Sequence, residues 1–243
     1  KASIFQRNTE KPEAQNDSGG VLAVWGSPGS GKTVTAVKIA KALSAKKKNV
    51  ILLLCDMSAP MLPCICHADA LESKGSLASV LAAARISENL IKHNLVTFKH
   101  NSYLAALGLL ELQNEYSTPP FVQKQVVELL DGLRQIAPYV IVDCGSYIAN
   151  DILSAVALME ADNVLRLANC DPKSVSYFSS QLPLLEDAEW GADAVACWTG
   201  WNVCRSHWPS SAATTKTTMH WSVTPWRTGT AARYTAFDLT SCT

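Results

Sequence analysis

This sequence predicts an α/β fold: a doubly wound, mostly parallel sheet with helices on both faces. Three observations carry that prediction. Short apolar runs alternate with stretches of helical period from Val21 to Ala168. The runs are apolar at successive residues rather than at every second one, as strands covered on both faces require. A glycine-rich turn stands directly between the first run and the first helical stretch, which is how a strand–loop–helix unit begins.

The elements follow in order. Residues 1–20 are polar, end in Gly19-Gly20 and read as a flexible linker or arm. Val21–Trp25 is the first strand, and Val34–Ser44 places Ala36, Ile39, Ala40 and Leu43 on one helical face. Val50–Leu54 is a second buried strand. Leu77–Ala84 and Ser87–Ile91 read as helical, and Leu95–Phe98 as a short strand. After Pro119-Pro120, a helix carries Val126, Leu129, Leu130 and Leu133 on one face. It leads into the strand Tyr139–Val142, closed by Asp143. Asn150 is the expected cap of a helix over Ile152–Met159, and Asn163–Ala168 is a further strand.

Composition bounds the rest. Lys+Arg and Asp+Glu both total 21, so net charge draws the chain toward neither nucleic acid nor an acidic membrane. The longest apolar stretches, such as Leu104–Leu110, stop far short of the roughly 20 residues of a bilayer span. The opening Lys-Ala-Ser, without Met or an apolar signal core, reads as a fragment or processed form of a soluble protein. Of the eight cysteines, Cys55, Cys144 and Cys170 each close an apolar run, a distribution that suits a reducing cytoplasm. Cys64-Ile65-Cys66-His67 has ligand-like chemistry but no second pair at zinc-finger spacing, so surface-loop thiols are expected there.

The expected domain spans residues 21–189. Residues 190–243 hold six of the seven tryptophans, many Thr and Ser, no Ile or Glu, and one Leu. No period survives there for long. The segment reads as an atypical tail outside the native reading frame or unrelated to the fold; an aromatic-rich binding tail is the alternative.

The chemistry is concentrated in Gly26-Ser27-Pro28-Gly29-Ser30-Gly31-Lys32-Thr33, which satisfies G-x-x-x-x-G-K-[ST] between a strand and a helix. Its glycines let the backbone wrap close to phosphates, turning N–H groups and a helix N-terminus toward the anion. Lys32 is placed to reach the β- and γ-phosphates, and the Thr33 hydroxyl to coordinate magnesium. Asp143 and Asp56 each close a parallel strand, at the edge where open α/β sheets gather ligands. Asp143 suits magnesium held through water, and Asp56 suits orienting an attacking water.

The P-loop, Val50-Ile-Leu-Leu-Leu-Cys-Asp56, Tyr139-Val-Ile-Val-Asp143-Cys-Gly145 and Asn169-Cys-Asp-Pro, in this order, resemble the ParA/MinD family of P-loop ATPases. The resemblance covers about residues 20–185. It implies a cytoplasmic ATPase that uses ATP and Mg²⁺, dimerises face to face with ATP and positions a cellular or plasmid cargo. It implies Asp56 in the first switch, Asp143 in the second, and Asn169 near the nucleotide. In relatives, DNA is bound through surface basic residues of the dimer. The family's signature lysine after the first glycine is replaced by Ser27, so a contact across the dimer is absent or supplied elsewhere. The Ser-Pro-Gly style of loop is shared with the TadZ/CpaE pilus-localising branch and with bacterial tyrosine kinases. A tyrosine autokinase is therefore the rival reading, although only Tyr234 follows residue 189 where such kinases carry a tyrosine cluster. A degenerate nucleotide-binding scaffold with little turnover is the other. No guanine-reading Asn-Lys-x-Asp motif is present.

Overall fold

The computed structural model describes residues 19–65, 75–185 and 195–198. Residues 1–18 of the expected arm, Cys66, His67 and all of the Trp/Thr-rich segment except its residues 195–198 lie outside the described residues; Gly20, expected to end the arm, instead begins the first strand, where it pairs with Tyr139.

Strand β1 (Gly20–Gly26) lies inside the sheet, between β5 (Tyr139–Asp143) and β6 (Asn163–Ala168). The order is β3-β4-β2-β5-β1-β6-β7, with β2 at Val50–Leu54, β3 at Val96–Phe98, β4 at Asn101–Leu107 and β7 at Val195–Trp198. Every neighbouring pair is parallel except β3–β4, an antiparallel hairpin at one edge. The predicted doubly wound, mostly parallel sheet is therefore the observed one.

The apolar runs are explained by burial on both faces. Val21, Ala23 and Trp25 of β1 point to one core with Ile51, Leu53, Val140 and Val142, whereas Leu22 and Val24 point to the other with Leu52 and Ile141. Helix α1 (Lys32–Ala45) and the short α2 (Leu62–Ile65) cover the second face. The small residues Ala36, Ala40 and Ser44 form the fully buried stripe of α1, which lets the helix lie close to the sheet. The first face is covered by α3 (Leu77–Leu81), α4 (Glu88–Asn94), α5 (Gln123–Ile136), α6 (Ile152–Glu160) and α7 (Pro172–Leu185). The predicted stripe Val126, Leu129, Leu130 and Leu133 of α5 is fully buried there.

Five elements depart from the expectation, the first being α2, which places the exposed Cys64 on a helix where a surface loop is expected. Asp151, not Asn150, caps α6: its Oδ1 accepts from Leu153 N and Ser154 N, both at 3.1 Å. Asn150 instead ends a short 3₁₀ turn over Ile148–Asn150. Strand β4 begins at the polar Asn101-Ser102, which hides it from a hydropathy pattern. Helix α7 starts at Pro172, which supplies no N–H and fits a first helical position. Strand β7 lies beyond Trp190, where no further element is expected; four residues are too few to show a period, and its backbone ladder to β6 builds it. Among the described residues no helix is long and apolar enough to cross a membrane.

Candidate functional site

The carboxyl ends of β1, β2 and β5 meet where the strand order reverses on either side of β1, the position at which open α/β sheets bind ligands. Asp143 closes β5 level with Val24 of β1 and Leu54 of β2. A cleft of about 790 Å³ opens there. Pro28, Gly29, Gly31, Lys32, Thr33, Asp56 and Asp143 all line it.

The loop after β1 takes its shape from its glycines. A Cβ on Gly26 would stand 1.9 Å from the Leu167 carbonyl oxygen, so no other residue lets β1 and β6 come this close. Gly29 (φ 76°) and Gly31 (φ 82°) occupy the left-handed region that side chains disfavour. No side chain caps the first turn of α1. Its first N–H groups are therefore open to an anion, and the helix dipole favours one there. Gly26, Ser27 and Ser30 do not line the cleft; Ser27 and Ser30 are buried in the loop behind it. Ser27 N donates to Leu167 O at 3.1 Å, and its hydroxyl shares a 2.7 Å hydrogen bond with Ser174 of α7. Asn169 also stands behind the loop, its amide donating to Gly29 O at 3.3 Å.

Lys32 Nζ crosses the loop to Ser27 O (3.3 Å) and Ser146 Oγ (2.6 Å). Burial pulls its pKa down, while Asp143 and Asp56 push the other way. Asp143 is 1 % exposed, and neither carboxylate oxygen makes a hydrogen bond with any described residue. Burial pushes its pKa to about 6; the Thr33 hydroxyl and the Lys32 ammonium lie near enough to temper that rise. An orphaned buried carboxylate is costly, and a divalent cation is the partner it lacks. The donor set suits magnesium in particular: one carboxylate beside one hydroxyl, with no cluster of three or more metal-ligating side chains among the described residues. Magnesium keeps waters and phosphate oxygens as its other ligands.

Asp56 faces the same cleft, and its Oδ1 accepts from Ser58 N (3.0 Å) and Ala59 N (2.9 Å). Oδ1 thus holds the turn that follows β2. Cys55 and Cys144 are free, buried side by side at the ends of β2 and β5, and burial raises both thiols. They act as small hydrophobes.

The AAA-domain family model matches residues 24–186, including the P-loop, both aspartates and Asn169. The chain belongs to this family, as a ParA/MinD-type P-loop ATPase. Its fold is similar to that of a ParA family ATPase from Chlorobium tepidum TLS (TM-score 0.62, 16% identity, 76% of this chain and 74% of that one). It is also similar to the MinD cell division protein of Aquifex aeolicus (0.56, 19%, 73% and 68%). A third is the septum site-determining protein MinD of Pyrococcus horikoshii OT3, complexed with Mg-ADP (0.55, 15%, 70% and 65%). At these identities the likeness establishes the fold. The chain spans about two thirds of the length of these MinD proteins. No curated protein matches the sequence.

Sequence reasoning about this ATPase overlooked Ser146, Tyr177 and the Glu115–Phe121 side of the cleft. Ser146 lies three residues past Asp143, and that spacing was the signal available for it.

Proposed function

We propose that this chain binds ATP with magnesium in the cleft, hydrolyses it slowly and serves as a nucleotide switch that pairs with a second copy to position a cargo. The observation that carries this reading is the buried, unpartnered Asp143 carboxylate beside Lys32 and Thr33 at the mouth of a complete P-loop.

The loop amides and the open first turn of α1 bind the phosphates. Lys32 exchanges its contacts with Ser27 O and Ser146 Oγ for the β- and γ-oxygens. Thr33 and Asp143 would hold magnesium, which would offset negative charge on the phosphates. Asp56 orients a water toward the terminal phosphorus. The water oxygen forms the new P–O bond as the bond to ADP breaks, and its proton leaves with phosphate or through Asp56.

Exposed Val34, Tyr147 and Ile152 line the cleft mouth, and an apolar rim of this kind supports closure against a second molecule. Ser27 cannot contribute across such an interface, because it is buried against Ser174. Titration calorimetry of ATP·Mg into the protein and its Lys32→Ala variant tests the reading. The variant should lose roughly tenfold or more in affinity, the worth of one charge-assisted contact. Equal affinities would sink it. Light scattering with ADP and with a non-hydrolysable ATP analogue should show the dimer only with the analogue.

A further inference from the structure

Behind the cleft, hydrogen bonds close into a ring that the phosphate motif does not require. Lys32 Nζ donates to Ser146 Oγ at 2.6 Å and to Ser27 O at 3.3 Å. The Tyr177 hydroxyl donates to the Ser146 carbonyl oxygen. Ser27 Oγ and Ser174 Oγ share a buried bond of 2.7 Å. Ser174 and Tyr177 stand three residues apart on α7, hence on one helical face. Helix α7 therefore grips both the loop after β1 and the loop after β5, and Lys32 bridges the same two loops from the cleft side.

We propose, resting on the nucleotide reading above, that Ser146 distinguishes ATP from ADP and that Tyr177 is the positioning residue that holds it in place. Ser146 lines the cleft beside Lys32 and Asp143. When a phosphate takes the Lys32 ammonium, Ser146 Oγ loses a short bond yet stays on the cleft wall. Its other contact, donated to Gly26 O, is long at 3.2 Å. The hydroxyl hydrogen is thus easily redirected to the terminal phosphate oxygen that Lys32 has captured. ADP offers no oxygen at that end.

Tyr177 makes the placement firm. Its ring packs against Trp25 (centroids 5.6 Å apart) and edge-on to Phe178 (5.3 Å), so the core sets where its hydroxyl stands. That hydroxyl in turn sets the Ser146 backbone. The competing role for Ser146 is to park Lys32 while the cleft is empty. Removing a parking contact would raise the affinities for ADP and ATP alike, whereas removing a γ-phosphate contact lowers only the second.

The test is titration calorimetry on the full chain with magnesium, using ADP and a non-hydrolysable ATP analogue. In Ser146→Ala the preference for the analogue over ADP should fall roughly five- to tenfold, the scale of one hydrogen bond to a charged group. Affinity for ADP should stay within about twofold. Ser146→Thr, which keeps the hydroxyl, should restore the preference. Tyr177→Phe keeps the ring packing, so its melting temperature should stay close to that of the parent while the preference falls roughly two- to fivefold. An unchanged preference in Ser146→Ala, or parallel changes in both affinities, would overturn this assignment alone. Failure of the unaltered chain to bind either nucleotide would overturn the nucleotide reading and this one with it.

Discussion

Replacing Asp143 by Asn should make the nucleotide-free protein insensitive to a pH range in which the parent loses stability. In the folded chain the carboxyl is buried without a hydrogen-bonding partner among the described residues, and burial raises its pKa from 3.8 to about 6. The folded state thus holds its proton more tightly than the unfolded state does. The stabilisation this provides is complete below pH 3.8, shrinks as pH rises through about 6, and is absent at neutral pH. At about 1.4 kcal/mol per pH unit the whole effect is about 3 kcal/mol. About 2 kcal/mol of it develops between about pH 4.5 and about pH 7.5, because below that window the unfolded carboxyl begins to protonate as well. Asn is nearly isosteric and does not titrate. Whatever a buried amide costs by itself is the same at both pH values and cancels. Urea unfolding of parent and variant in a chelating buffer gives the number directly. Relative to the variant, the parent should be about 2 kcal/mol more stable at the acidic value than at the neutral one. A gap that does not move with pH, or moves the opposite way, would refute the argument that Asp143 sits desolvated and unsatisfied.

Substitutions at two further positions probe the same edge. Asp56→Ala should lower kcat by roughly 10²–10⁴-fold with little change in ATP affinity, since orienting a water acts mainly in the transition state; phosphate release and calorimetry on one preparation check it. Asp56→Asn keeps an oxygen for Ser58 N and Ala59 N, so a rate loss shared by both variants excludes a mere collapse of the turn. Gly26→Ala should destabilise the fold by more than about 3 kcal/mol, read as a fall in urea midpoint, because the added methyl meets the Leu167 carbonyl oxygen at 1.9 Å and β1 cannot withdraw without breaking its ladders.

Much of the fold was legible in the sequence because parallel strands buried on both faces leave unbroken apolar runs. Val21–Trp25, Val50–Leu54 and Tyr139–Val142 form strands for that reason, whereas Asn163–Ala168, with Asn163 and Arg166, is buried only at Leu167 and Ala168. The stripe of α5 was legible because its period matches the helix that buries it. Asp151 was misread as Asn150 because both are good capping residues, and only the backbone path through the 3₁₀ turn chooses between them. Strand β7 left no pattern, since a short strand added by backbone ladder at an edge needs no side-chain period.

The sequence by itself determined the phosphate loop, the two strand-end aspartates and the sheet edge that brings them together. These are local matters: glycines where the backbone must turn, and carboxylates just past runs that can only be strands. The tertiary structure alone decided that Ser27 turns inward to Ser174, that Lys32 rests on Ser146, and that α7 braces both loops through Ser174 and Tyr177. Those partners lie between 31 and 147 residues apart along the chain. Hydroxyls bond equally well to many neighbours, so no spacing in the sequence encodes which one the packing of α7 against β1 delivers.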